Sequence, residues 1–195
     1  RADELPNFHR ADSSESDPAA NLYKLYFVEP GQNQTAGMDG LISTQPPASN
    51  ADQVTASALD DDVQFMSISM MSTLELFGRK FFANETHYVP VELFLKSEGP
   101  QNSNVDWTVS IMTTERTLGS TTYSGSVCTA SFGSSCDFDH EIIDVGIGSS
   151  ESFDVRKGER LIVKVRASMS GCDGGDSPFG GSDCSADVAF NRIDN

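Results

Sequence analysis

The residues with the clearest capacity for chemistry are carboxylates in a glycine-rich segment near the end of the chain. Residues 172–184 read CDGGDSPFGGSDC, so Asp173, Asp176 and Asp183 lie between two cysteines. Calcium takes about six to eight oxygen ligands, including backbone carbonyls that glycine-permitted turns can direct inward. The segment lacks the residue order of an EF-hand loop. It is a candidate calcium site, and its alternative is a solvated loop closed by a disulfide.

A second acidic group lies earlier in the chain. Asp60, Asp61 and Asp62 close a turn-rich stretch that spans residues 30–62. Three consecutive carboxylates at the edge of a loop are a candidate for a second calcium site. The alternative is a charged boundary of the strand that follows. Calcium is therefore a possible ligand of the protein, and no other cofactor is expected.

The four cysteines predict a compartment. Cys128 and Cys136 are close in sequence, as are Cys172 and Cys184, although four cysteines allow three connectivities. Neither spacing matches the tight C-x₂₋₄-C pairs of zinc sites, and both regions have the composition of exposed loops rather than of a catalytic pocket. Disulfides are the favoured interpretation, with local bridges preferred, and they predict an oxidising compartment.

Two N-x-[ST] triplets agree with export. They begin at Asn33 and Asn84, and each lies in a polar stretch. Both asparagines are candidate glycosylation sites. Together with the cysteines, they predict a protein that is secreted, extracellular or on the cell surface.

The histidines do not point to an active site. His9 lies in a polar segment, His87 lies beside a glycosylation triplet, and only His140 has acidic sequence neighbours that could orient an imidazole. A histidine on a solvated strand face is the simpler interpretation of His140. The sequence contains no G-x-S-x-G, H-E-x-x-H or phosphate-binding glycine motif, and no spacing selects a carboxylate pair for glycoside hydrolysis. We expect no catalytic residues and no enzymatic activity.

Aromatic residues raise the question of sugar binding. Trp107 shares an apolar strand face with Val105 and Val109, which predicts packing in the core rather than an exposed stacking platform. Tyr23, Tyr26 and Phe94 are better candidates for an exposed apolar face. Such a face would suit either a carbohydrate or a neighbouring subunit.

Charge excludes two classes of partner. The chain of 195 residues has 13 Lys and Arg against 29 Asp and Glu, giving a formal net charge of −16. Nucleic acids and anionic membrane surfaces attract clusters of basic residues, so neither is an expected partner. No stretch approaches the roughly 18 apolar residues of a membrane span, and no membrane insertion is expected.

The elements that must position these groups are strands. Apolar and polar residues alternate in about eight segments separated by turn signals, and no segment has the period of an amphipathic helix. Such alternation is typical of half-buried antiparallel strands. We therefore predict an all-β fold, an antiparallel two-sheet sandwich, and favour a jelly roll over an immunoglobulin-like sandwich. The segments are 21–29, 63–71, 89–95, 105–111, 143–147, 153–155, 161–168 and 186–191.

The predicted organisation is an arm followed by one domain. Residues 1–20 are polar and acidic without periodicity, which indicates an extended N-terminal arm that is flexible or donates a strand. Residues 21–195 form a single β-sandwich domain in this interpretation. An arm of this kind can add a strand to the sheet of a neighbouring copy.

Three segments in order carry a resemblance to a class of known proteins. They are NVDWTVSIM (104–112), SFDVRKGERLIVKVRAS (152–168) and DVAFNRID (187–194). This order resembles secreted jelly-roll β-sandwich subunits of archaeal and bacterial extracellular filaments and cannula-like tubes. The resemblance covers roughly residues 63–195. It implies assembly through donated strands, sometimes with calcium, and transfers no individual functional residue.

Two functional hypotheses follow from these features. In the first, the protein is a structural subunit of an extracellular filament, tube or surface assembly, a homopolymer joined through the N-terminal arm. In the second, it is a secreted carbohydrate-binding module with structural calcium. Deletion of residues 1–20 separates them, because only the first requires the arm.

Overall fold

The computed structural model describes residues 9–10, 26–28, 38–43, 52–57, 59–67, 80–100, 103–129, 136–149, 151–155, 159–171 and 184–190. These residues contain no helix, and hence none long enough to cross a membrane. Their strands are β1 (His9–Arg10), β2 (Tyr26–Val28), β3 (Gly40–Ser43), β4 (Asp52–Ser57), β5 (Leu59–Ser67), β6 (Lys80–Phe81), β7 (Thr86–Glu98), β8 (Asn104–Thr113), β9 (Thr117–Ser126), β10 (Asp139–Gly148), β11 (Phe153–Asp154), β12 (Leu161–Ser170) and β13 (Ser185–Phe190).

The strands form a sandwich of two layers, which confirms the predicted all-β fold. The first layer has the order β2-β3-β5-β12-β8-β9, and the second has the order β10-β7-β13-β4, with β1 beside β7. Neighbouring strands are antiparallel except β3 and β5, which are parallel. At the far end β4 returns beside β5, so the layers enclose the core from both sides. A separate pair, β6 and β11, lies outside these layers.

Glycines allow the turn from one layer to the other. β9 and β10 pair at a single position, Gly119 opposite Ile147, and diverge from there. A Cβ atom at Gly119 would collide with the carbonyl oxygen of Gly146. Only a residue without a side chain permits this close approach of two backbones.

The core lies between the layers and is built from alternate strand positions. Trp107 of β8 is 1% exposed and lies at its centre, as the apolar spacing of that strand predicted. β8 and β12 face it from one layer, and β7, β10 and β13 from the other. The largest fully buried side chains are Trp107, Leu93, Ile147, Val105, Val109, Val145, Val165 and Val188.

Three features differ from the sequence prediction. β9 was not predicted, because its sequence TLGSTTYSGS is mostly Ser, Thr and Gly. β4 and the start of β5 lie in the stretch predicted to be turns, so Asp60, Asp61 and Asp62 are inside a strand rather than at a loop edge. In β13 the polar face is also buried, since Asp187 and Ala189 are as inaccessible as the core residues beside them.

The predicted division into an arm and one domain stays a prediction. Residues 9–10 of the arm form β1, and residues 11–25 lie outside the described residues. Of the predicted strand over residues 21–29, Tyr26–Val28 is described and forms β2.

Candidate functional site

One edge of β7 pairs with β1, whose two residues lie in the predicted N-terminal arm. Along its first edge, β7 pairs with β10 from Thr86 to Leu95. Along the opposite edge it pairs with β1 at His87 and Tyr88, and with β13 from residue 94 onward. Among the described strands, none pairs with residues 89–93 on this second edge.

Pro90 determines what this edge can bind. The hydroxyl of Thr121 donates a hydrogen bond of 2.9 Å to the carbonyl oxygen of Asp144, so the backbone groups of Asp144 point toward β9. Because Pro90 is the partner of Asp144 across the β7–β10 pair, its own backbone points to the second edge of β7. Proline has no N–H to offer there, and such edge positions are where strands tolerate it. Between β1 and β13, the groups of this edge that pair with no described strand are the carbonyl of Pro90 and both backbone groups of Glu92.

Exposed apolar side chains lie on the outer face beside this edge. Tyr88 is 43% exposed, and its ring lies over Gly146 of the neighbouring strand. Ile142, opposite Glu92 on β10, is 63% exposed. Together Tyr88, Pro90 and Ile142 form what we term the outer apolar strip. A strand added at the β7 edge would lie alongside it.

A second feature is the cleft where β9 and β10 diverge. Tyr123 of β9 donates a 2.5 Å hydrogen bond to Glu141 of β10, with Trp107 and Asp139 lining the same cleft. The hydrogen bond to Glu141, and then burial, raise the pKa of Tyr123 to about 12. Because Tyr123 is protonated at neutral pH, its hydroxyl donates to Glu141 and joins β9 to β10 across the open side of the sandwich. We call this Tyr123–Glu141 hydrogen bond the latch.

One disulfide closes the end of this cleft. Cys128 and Cys136 are bonded, with a Cα–Cα distance of 5.9 Å, which confirms the local bridge favoured from the sequence. Cys128 also forms an isolated bridge with Glu98 at the end of β7. Cys184 is disulfide-bonded as well, while Cys172 lies outside the described residues.

His140 is arranged by a neighbouring strand rather than by its sequence neighbours. Its Nε2 atom lies 2.9 Å from Glu92 of β7, and its ring stacks on Phe94 with centroids 4.8 Å apart. The imidazole is exposed, in agreement with the predicted solvated face. Phe94 is not the exposed aromatic that was predicted. It is 6% exposed, so it offers no surface on which a sugar ring could stack.

The remaining predicted sites divide into described and undescribed residues. Asn84 is exposed in the turn between β6 and β7, with a φ of 63° that asparagine tolerates better than most residues. Its glycosylation stays a prediction, as does that of Asn33, which lies outside the described residues. The acidic loop with Asp173, Asp176 and Asp183 also lies outside them. Within the described part of the chain, no three His, Cys, Asp or Glu residues group to hold a metal ion.

The residues that sequence reasoning missed are polar side chains paired between strands. Lys96 and Asp187 are direct partners across β7 and β13, and their side chains form an ion pair of 2.8 Å. Only the register between strands distant in sequence brings them together. No spacing in the sequence signals such a pair.

Comparisons with known proteins do not assign the chain to a family. No protein-family model matches the sequence, and no curated protein matches it. Among solved structures, the chain is similar to one in the structure of infectious bursal disease virus, Gt strain, with a TM-score of 0.26 and 11% sequence identity. That similarity covers 85% of this chain and 43% of the viral chain, so this chain spans less than half of its length.

Proposed function

We propose that the protein is a structural subunit of an extracellular assembly in which the N-terminal arm of one copy pairs with β7 of the next. The observation that carries the proposal is the antiparallel pairing of β1 with β7, His9 opposite Tyr88 and Arg10 opposite His87. The arm is thus a strand that already matches this edge. A sheet edge is a template for added strands, whether they come from the same chain or from another.

Chain length supports exchange of the arm between copies. Fifteen residues separate Arg10 from Tyr26, and if extended they would span about 50 Å. A domain of this size has a radius of gyration of about 16 Å. The connection is therefore long enough for β1 to reach an adjacent copy. A head-to-tail contact propagates into a filament or tube when the rotation between copies does not close into a ring, and we propose this open form.

The edge itself favours one specific strand over many. Pro90 has no N–H to donate, and β13 occupies the far end of the same edge, so an incoming strand meets uninterrupted pairing around Tyr88 and a ladder with one donor missing beyond it. The outer apolar strip lies beside that position and offers side-chain contacts. The observed disulfide and the net charge of −16 suit an exported, dispersed subunit, which completes the proposal of an extracellular location.

Deletion of the arm tests the proposal directly. Full-length protein and a variant lacking residues 1–20 are compared by negative-stain electron microscopy and by sizing, with and without a calcium chelator. We expect regular filaments, tubes or sheets from the full chain, and folded monomers from the deletion variant. Loss of the assemblies in chelator would place calcium at the contacts. Monomers from the full chain under all conditions would overturn the assembly function.

Cysteine exchange identifies the edge that the arm occupies. One preparation carries His9→Cys and another Tyr88→Cys, and directly opposed strand residues lie within disulfide distance. Mixing the two during assembly is expected to yield covalent dimers on a non-reducing gel. Glu92→Cys is the matched control on the same strand and face, and it should give few dimers. If only a doubly substituted chain cross-links, and only within itself, the arm folds back on its own domain and the proposal fails.

A further inference from the structure

A lysine and two carboxylates meet on the outer face of the second layer. The Nζ atom of Lys96 lies 2.8 Å from Oδ2 of Asp187 and 3.3 Å from Oε1 of Glu98. Lys96 and Glu98 are two residues apart on β7, and Asp187 faces them from β13. An amine, a carboxyl group and a second carboxylate are therefore held together by two strands that pair over several residues.

The surroundings of this group limit contact with water. Asp187 is 5% exposed, and the side chain of Lys96 is largely covered. The ring of Phe138 lies beneath the ammonium group, with 5.5 Å between Nζ and the ring centroid. Phe94 and Ala189 occupy the next pair of positions on the same two strands, and both are buried. A buried carboxylate beside an amine is a site where a neutral pair competes with an ion pair.

We propose that Lys96 and Asp187 condense to form an intramolecular amide bond, with Glu98 carrying the proton. The Nζ atom bonds to Cγ of Asp187, the bond from Cγ to one carboxyl oxygen breaks, and that oxygen leaves as water. No oxidant, reductant or other reactant is needed. The product is an isopeptide bond that joins β7 to β13 in place of their ion pair.

The proton movements can be followed from the ion pair. The ammonium group of Lys96 passes a proton along the 2.8 Å contact to Asp187, which leaves a neutral amine and a neutral acid. As the amine attacks Cγ, its nitrogen becomes positively charged and gives a proton to Glu98. Glu98 then passes this proton to the departing hydroxyl group, and water leaves. Glu98 is ionised at the beginning and at the end, so charge and atoms balance.

The electrostatics of the site act in both directions. The pKa of Lys96 is raised, because its hydrogen bond to Asp187 outweighs burial, which acts in the opposite direction. The ion pair is therefore the resting form of the two reactants, and it holds them in contact. Fixed contact between reacting groups raises their effective concentration by several orders of magnitude over groups free in solution. The inference does not rest on the assembly function, because it concerns two strands of one chain.

Intact mass after full denaturation and reduction is the decisive measurement. An amide bond survives this treatment, whereas an ion pair does not. We expect the purified full chain to be lighter than its sequence mass by one water molecule. Lys96→Arg, which keeps the cation but lacks a primary amine, should show the complete mass of its sequence. Glu98→Gln should leave the two reactants in place and reduce the fraction of condensed chains at least tenfold.

Peptide mapping locates the bond. Trypsin cleaves after a free lysine, so an unmodified chain yields peptides 81–96 and 97–116. With the amide in place, cleavage after Lys96 is lost, and the uncleaved peptide remains joined to the one that contains Asp187. Complete cleavage after Lys96 together with the full sequence mass would overturn the inference and leave an ordinary ion pair. This result would not affect the filament experiments, so failure of one proposal is distinguishable from failure of the other.

Discussion

The outer faces of the two layers differ, although their inner faces pack against the same core. On the first layer, β8 and β9 present hydroxyl groups in pairs: Thr108 with Thr122 at 3.1 Å and Ser110 with Ser120 at 3.0 Å. Ser120 and Thr122 are exposed, Thr108 and Ser110 are half-buried, and the hydroxyl groups of each pair satisfy one another. This part of the outer face is therefore suited to contact with water.

On the second layer the outer face is partly covered. Phe94 and Ala189 are as inaccessible there as core residues, and Asp187 is buried with its lysine partner. Two exposed apolar side chains, Tyr88 and Ile142, lie further along the same face. On this outer face the described residues combine a buried ion pair with exposed apolar side chains, whereas those described on the outer face of β8 and β9 are paired hydroxyl groups.

Among the substitutions that test this contrast, truncation of a buried aromatic ring on the second layer should change the unfolding free energy most. Phe94→Ala should lower the free energy of unfolding by about 3 kcal/mol, as for other buried aromatic residues. Chemical denaturation measures the change, with Thr122→Ala on the opposite layer as the matched control. An equal, small effect of both substitutions would show that the two outer faces are equivalent.

The next effect concerns the connection between the layers. Replacing Cys128 and Cys136 by serine removes a bridge between residues separated by 8 positions, and the chain-entropy description gives a loss of about 2–3 kcal/mol. We expect a lower midpoint in denaturant with the strands preserved in circular dichroism. An unchanged midpoint would mean that the contacts between β9 and β10 are sufficient to join the two layers without the disulfide.

Smaller still is the effect of the latch across the cleft. Tyr123→Phe removes the hydrogen bond to Glu141 and should cost about 1 kcal/mol. Because the folded pKa of Tyr123 is raised to about 12, the contribution of the pair is complete below the ordinary tyrosine pKa of about 10 and disappears as pH rises through the folded value.

A spectroscopic titration checks the latch in the folded protein. One of the four tyrosines should ionise near pH 12, and this phase should vanish in Tyr123→Phe and survive in Tyr88→Phe. Ionisation of every tyrosine near pH 10 in the folded chain would contradict the described contact with Glu141.

The smallest expected effect lies on the hydroxyl face of the first layer. Ser110→Ala removes one member of an exposed hydroxyl pair, and water replaces the lost contact. The change in unfolding free energy should stay within about 0.5 kcal/mol. A loss above 2 kcal/mol would show that this face is covered in solution and would remove the contrast between the layers.

Sequence alternation predicted the strands that have a strongly apolar side. β8 and β12 match their predicted segments closely, and Trp107 lies in the core as expected. β9 was not predicted because several of its less exposed positions are occupied by small residues, namely Gly119, Thr121 and Gly125. Small residues allow the backbones of β9 and β10 to approach each other at Gly119 and Gly146. They also leave no periodic hydrophobic signal in the sequence.

Composition and local pattern by themselves determined the fold class and the acidic net charge, and they favoured the close disulfide between Cys128 and Cys136 that the structure contains. These properties depend on residue type and on short spacings, which a sequence states directly. Tertiary structure alone decided that Lys96 meets Asp187, that His140 pairs with Glu92, and that Phe94 is covered. Each of these contacts depends on the register between strands many residues apart, and a shift of one residue would send every side chain of a strand to the opposite face.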